Sequence, residues 1–418
     1  MTTETNTVLT ASVLTIIEKL AAFGATPEGG VTRLLYTEPW LAAQRWLERE
    51  MAGSGLVPRY DRAGNLYGRL EGSRPESGVV LTGSHVDTVR SGGRYDGAYG
   101  IAAAIAAVKQ LRDTYGAPRR PIEVASFCEE EGSRFPLAYW GSGIAAGAYA
   151  LDAADMVKDA KGITLREAME TAGFGRPDQP AGRRSDLHAY VEAHIEQGIT
   201  LELSARRIGV VETIAGQRRY IATVTGVTNH AGTTPMPLRA DALACAAEMV
   251  VLLEKAALRA GDPLVATAGR LRPVPNLPNV IAGKVEFTLD IRHTSETMLA
   301  GFCDAVLSKF ESIAARRGVA LQLRPALLTR PAPMDPVLTG DMERICASRG
   351  IPYRRMMSGA GHDGQMFAPV CPTAMLFVPS RGGISHSPAE YTAPEELGAG
   401  AAVLMEMIYE LAYEKPMP

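Results

Sequence analysis

Short apolar runs alternate with helix-periodic segments over the first half of the chain, and this alternation breaks off near Val211 and resumes near Leu328. No other feature restricts the fold as strongly. Residues 11–23 and 38–51 space their apolar side chains as helices do, and 101–111 reads as an alanine-rich helix. Residues 79–82, 122–128 and 190–193 are short apolar runs of the kind that buried parallel strands show. Residues 64–70 lie between turn formers and read as part of a hairpin. Strands alternating with helices predict an α/β domain with a mostly parallel sheet and helices on both faces.

Beyond Val211 the period changes. Long strands over 220–226 and 280–292, another strand over 319–324, and helices over 240–258 and 296–316 predict a compact α+β insert. A strand over 373–378 and a helix over 394–413 then restore the α/β pattern. The expectation is a discontinuous catalytic domain, 1–212 with 329–418, interrupted by a smaller lid over 213–328. A chain of 418 residues is too long for one ordinary core, which agrees with two domains.

Composition narrows the function by exclusion. Apolar residues at 46% and charged residues at 21% fit a soluble globular protein. The net charge of −3 favours neither nucleic acid nor an anionic membrane. No apolar run reaches the roughly 18 residues of a membrane span. The opening MTTETNTVLTAS has neither the basic nor the apolar region of a signal peptide. Cys128, Cys245, Cys303, Cys346 and Cys371 are odd in number and far apart, so neither a disulfide scaffold nor a cysteine zinc knot is expected. A cytoplasmic address is the expectation.

Seven histidines occur, and five of them sit in turns rich in Gly, Asp, Glu or Ser. In TGSHVDTV (82–89), His85 and Asp87 share a face of an extended chain. A metal-ligating imidazole needs its second nitrogen held, and Asp87 can hold it or steady a base instead. Asp96 follows in the glycine-rich SGGRYDGAYG, free of strand constraints, where a carboxylate can reach between two ions. The competing reading makes Asp96 a helix cap in a surface loop. FCEEEGSRF (127–135) follows the strand 122–128 and puts three carboxylates where α/β sheets bind ligands. Such a run is costly unless solvent or cations neutralise it, so a solvated acidic turn competes. EAHIEQG (192–198) and GGISHSPAE (382–390) place His194 and His386, expected at strand ends. Imidazoles with carboxylates suit zinc, manganese, cobalt or nickel. His362, between glycine and Asp363, reads as pocket-shaping or as a ligand, and His188 and His293 as solvated or structural.

In this order, the motifs resemble those of the binuclear-metal hydrolases related to aminoacylases and zinc carboxypeptidases. EEEGSRF, PLAYWGS, AGQRRY (215–220), NHAGTTPM (229–236) and SGAGHD (358–363) are similar to the ureido branch. That branch holds allantoate amidohydrolases, N-carbamoyl-L-amino acid hydrolases and β-ureidopropionases, and bacterial allantoate amidohydrolases are resembled in particular. The resemblance runs from GGVTRL (29–34) to SHSPAE (385–390). One departure is WGSGI (140–144), where that subfamily carries a Lys-Asn pair.

The resemblance implies two divalent ions per chain and a small ureido-acid substrate. It makes Asp96 the ligand shared by both ions, with His85 and His194 on one and Glu131 and His386 on the other. It implies Glu130 as general base, with Asp87 beside it, and gives Glu129 no role. Gln197 would sit near the bound amide, Asn279 and Arg292 at the substrate carboxylate. His230 would reach the reacting carbonyl from the lid of the partner in a homodimer. Without the resemblance, Arg292 and Asn279 read as a strand-end salt bridge and a turn. A planar guanidinium suits a carboxylate in a way that lysine cannot imitate.

Overall fold

The computed structural model describes residues 3–413. Met1 and Thr2, which head the polar opening stretch, and residues 414–418, which end the expected catalytic domain, lie outside the described residues. The chain divides into two compact units, 1–212 with 333–418 and 213–332.

In the first unit the centre of a nine-stranded sheet is parallel, in the order Ile122–Phe127, Val79–His85, Leu187–Ile195, Thr373–Val378. The hairpin Val57–Tyr60 and Leu66–Leu70 adds an antiparallel edge on one side. Ile208–Ile214 pairs antiparallel with Thr373–Val378 on the other. Parallel pairing makes the four central strands end on the same side, and the chemistry-bearing loops leave from those ends.

Side-chain alternation sorts the two faces of the sheet. Val80, Ile122, Val124, Ala189 and Val191 turn toward the helices Ala98–Tyr115 and Pro394–Tyr413, with Thr3–Ala22 packed across both. Leu81, Ala125, Phe127 and Tyr190 turn the other way, toward the short helices Trp140–Ala146 and Gly364–Phe367. The alanine-rich helix can lie close to the sheet because its side chains are small. At Gly100 even a Cβ would come 2.5 Å from the Ala193 carbonyl oxygen.

The second unit is a five-stranded antiparallel sheet built on Gly216–Thr225, Lys284–His293 and Ala320–Thr329, with helices Ala242–Ala260 and Glu296–Arg316. Both helices start at side-chain caps, Asp241 and Ser295. Phe287, Phe310, Leu253 and Met249 lie in its separate core.

Some elements differ from expectation. The strand read over 280–292 is two strands: Val280–Ile281 pairs with Asn229–His230, and Lys284–His293 joins the sheet. The break falls at Gly283, where a Cβ would collide with the Thr228 hydroxyl. The first helix begins at Thr3, because the polar opening still turns Leu9 into the core. Ile208–Ile214 and Tyr353–Ser358 are strands that were not anticipated. Among the described residues no helix is long and apolar enough to cross a membrane.

Candidate metal centre

His85 is the last residue of its strand, the acidic run follows Ile122–Phe127, and His194 is the penultimate residue of Leu187–Ile195. His386 does not end a strand, contrary to expectation. The strand Thr373–Val378 stops well before it, and the chain turns through Gly382 and Gly383 into a loop where His386 has φ +55°. Asp96 approaches through its own loop. The next residue must be glycine: Gly97 has φ +63°, and a Cβ there would collide with the His85 carbonyl and come 2.6 Å from His85 Nδ1.

These loops bring four side chains together around the Asp96 carboxylate. Asp96 Oδ1 lies 3.5 Å from His85 Nε2 and 3.3 Å from His194 Nε2. Asp96 Oδ2 lies 3.1 Å from His386 Nε2, which is 3.4 Å from Glu131 Oε1. The ligand atoms of His85, Asp96 and His194 form one compact group, and those of Asp96, Glu131 and His386 a second. The first group is buried, whereas the His386 side chain is 48% exposed, so the centre opens on that side.

The ring nitrogens test whether a cation fits. His85 Nδ1 is 3.0 Å from the Asp87 carbonyl oxygen, and His194 Nδ1 is 3.0 Å from that of Ile195. Each Nδ1 therefore donates its proton outward, and each Nε2 faces the same Asp96 oxygen. A positive charge must lie between each Nε2 and Asp96: two protons, or one metal ion that serves both rings. The Gly97 N–H also lies 3.2 Å from His194 Nε2. The donor set fits a divalent ion.

The charge balance points the same way. Burial pushes the Glu130 carboxyl well up, with Glu131, Asp363 and Asp87 adding to it against the pull of His85. Burial and the nearby Asp96 push Glu131 up to about 8. Burial alone would raise Asp96 too, but His194, His386 and His85 hold it well below the usual carboxylate range. Asp96 also holds His386 up, at about 9. Cations relieve such crowding of buried acids.

Glu130 Oε2 lies 3.8 Å from His85 Nε2, at the edge of the first group. Asp87 contacts both neighbours named for it. Its backbone oxygen holds His85, and its carboxylate accepts the backbone N–H groups of Glu130 and Glu131, each at 3.2 Å. Glu129 turns away with φ +48°, and its Oε1 accepts the N–H groups of Arg134 and Phe135, both at 2.9 Å. Gln197 donates to Asp96 Oδ2 at 3.0 Å, and its buried Oε1 has no hydrogen-bond partner.

The remaining candidates lie in the second unit. His230 is exposed, sits opposite Val280, and its neighbour Ala231 donates to the Asn279 carbonyl at 3.0 Å. Arg292 is forked onto Asp290, Nε to Oδ1 at 2.8 Å and Nη2 to Oδ2 at 3.2 Å. His293 is buried and its Nδ1 accepts from the Ser295 N–H, a structural role. His362 is buried beside the first group, its ring 4.5 Å from that of His194 and its Nε2 2.9 Å from Ser358 Oγ.

Two buried glutamates were missed. Glu192 joins His194 and His362 in a third compact group, and accepts from Ser84 Oγ and the Gly364 N–H. Its place two residues before His194, on the same face of the strand, was the available signal. Glu390 was quoted within SHSPAE but given no role.

The model of peptidase family M20/M25/M40 matches residues 81–410. The allantoate amidohydrolase of Bacillus subtilis (strain 168) is 45% identical, over 96% of this chain and 98% of that protein. The N-carbamoyl-L-amino acid amidohydrolase of Geobacillus stearothermophilus is 40% identical, over 94% of this chain and 96% of that one. A crystal structure of an amidase of the hydantoinase/carbamoylase family from Burkholderia multivorans superposes with a TM-score of 0.89 at 38% identity, covering 98% of each chain.

Proposed function

The chain belongs to peptidase family M20/M25/M40, a family of metal-dependent hydrolases, and from that premise we propose that it hydrolyses the ureido C–N bond of allantoate to ureidoglycine, ammonia and CO₂. The observation that carries this reading is Asp96, whose two oxygens face two different sets of ligand atoms. Two ions per chain, zinc or manganese with cobalt or nickel as substitutes, would be held by His85, Asp96 and His194 and by Asp96, Glu131 and His386. Such ions polarise the scissile carbonyl and acidify water toward neutral pKa.

Glu130 takes the proton of the attacking water and passes it to the leaving nitrogen. A carboxylate raised by burial suits that exchange. Asp87 fixes the base by holding its backbone N–H. Gln197 offers an unpaired amide oxygen to the ureido N–H groups. The resemblance supports His230 as donor to the oxyanion, supplied from the partner of a homodimer formed through the inserted lid. It also supports Asn279 and Arg292 at the substrate carboxylate, which Arg292 would meet with the guanidinium edge other than the Nε/Nη2 edge that Asp290 engages. A cytoplasmic address belongs to the same reading, and five free buried cysteines suit a reducing compartment.

A second reading, hydrolysis of N-carbamoyl-L-amino acids or N-carbamoyl-β-alanine on the same site, draws on WGSGI. EEEGSRF and AGQRRY favour allantoate. Ammonia release from allantoate, N-carbamoyl-L-amino acids and N-carbamoyl-β-alanine, with amino-acid release from a dipeptide and an N-acyl amino acid, decides. The highest kcat/KM is expected on allantoate. A higher value on a carbamoyl amino acid establishes the second reading, preferred dipeptide or N-acyl cleavage makes it a peptidase or aminoacylase, and no turnover leaves a binding protein.

A further inference from the structure

Glu390 touches no candidate ligand atom, yet it is only 4% exposed and lies at the joint of two ligand loops. Its Oε1 accepts the backbone N–H of Tyr95 at 2.9 Å and that of Asp96 at 3.2 Å. Its Oε2 accepts the Ser385 hydroxyl at 2.7 Å. Asp96 is the shared carboxylate, and Ser385 immediately precedes His386. One side chain thus ties the loop of Asp96 to the loop of His386. The approach is close: a Cβ at residue 93 would displace the Glu390 carboxylate.

The other ligands are held otherwise, Glu131 through its N–H on the Asp87 carboxylate. His85 and His194 stand on strands, and their rings are set by the carbonyls of Asp87 and Ile195. His386 stands on a loop, in a left-handed backbone at φ +55°, a conformation that persists when its surroundings impose it.

We propose that Glu390 is a positioning residue that sets the spacing of Asp96 and His386, and through it the affinity of the Asp96–Glu131–His386 group for its ion. This rests on the two-ion reading above. Removing Glu390 loosens two of the three ligands in that group and one of three in the other, so the two sites lose affinity unequally. Outer partners of metal ligands typically contribute about 10–100-fold in affinity.

The test is a zinc titration of metal-free protein against a chromophoric chelator, which yields two stepwise constants. His386→Ala identifies the step that belongs to the second group. Glu390→Ala should weaken that step by about 10-fold or more and the other far less. Glu390→Gln keeps an oxygen for the two N–H groups and an amide that can donate to Ser385 Oγ, so it should recover most of the loss. Ser385→Ala should weaken the same step by less than Glu390→Ala, and together with Glu390→Gln it decides the matter if Glu390→Ala does not fold. Equal weakening of both steps, no weakening, or a Gln variant as impaired as Ala overturns the proposal. A wild-type protein that binds fewer than two ions overturns the two-ion reading itself, whatever the variants do.

Discussion

Glu129 and Glu130 are adjacent and buried, and burial pushes both toward the protonated form, Glu129 to about 8. Their surroundings nonetheless give them different work. Glu129 spends Oε1 on the turn that carries Arg134 and Phe135, and Glu130 faces His85. Glu130→Gln keeps the shape and removes the base, so kcat should fall by about 10²-fold or more with metal content unchanged. Glu129→Gln keeps an acceptor for the turn and should change kcat far less. The opposite ranking, read from steady-state rates and metal analysis, would shift the base by one residue. At this scale the sequence was legible where a polar residue interrupts an apolar strand end, as at His85 and His194. Glu390 was not legible, because its partners Tyr95 and Asp96 lie 295 and 294 positions away and no periodicity links them.

The hairpin edge of the large sheet is held by charge as well as by its ladder. Arg59 and Arg69 project from its two strands to Glu123 on the neighbouring strand, each at 3.1 Å, and Arg184 joins them at 2.5 Å. Burial would raise Glu123, but Arg184 and Arg59 hold it below its ordinary 4.5. A carboxyl depressed in the folded state stabilises fully above its unfolded value and loses that contribution as pH falls through the folded one. Glu123→Gln removes the carboxylate that the three guanidinium groups share, although Arg69 keeps Glu71 and Arg184 keeps Asp186, and should therefore cost about 1–3 kcal/mol at pH 7. The gap in unfolding midpoint to wild type should narrow as pH drops below about 4.5. A gap that does not vary with pH would remove the ion cluster as its cause. Elements with a strong period were legible, the parallel strands and the alanine-rich helix among them. Tyr353–Ser358 was not, because an arginine pair at 354–355 hides its alternation, and the bend at Gly283 depends on Thr228, a tertiary contact.

For the whole molecule, the proposed homodimer makes a quantitative demand. If His230 serves the partner's site, inactive Glu130→Gln and inactive His230→Ala should complement each other when their subunits exchange. Half of the dimers are then mixed, each with one intact site, so about a quarter of wild-type activity should return. No recovery despite demonstrated exchange would confine His230 to its own chain. The claim beneath all of this is that hydrolysis needs divalent ions held around Asp96, and it is tested most directly by adding metal back to metal-free protein while ammonia release from allantoate is followed. The account predicts no release without metal and a rise that levels off at two ions per chain. Full activity in the metal-free protein would contradict it.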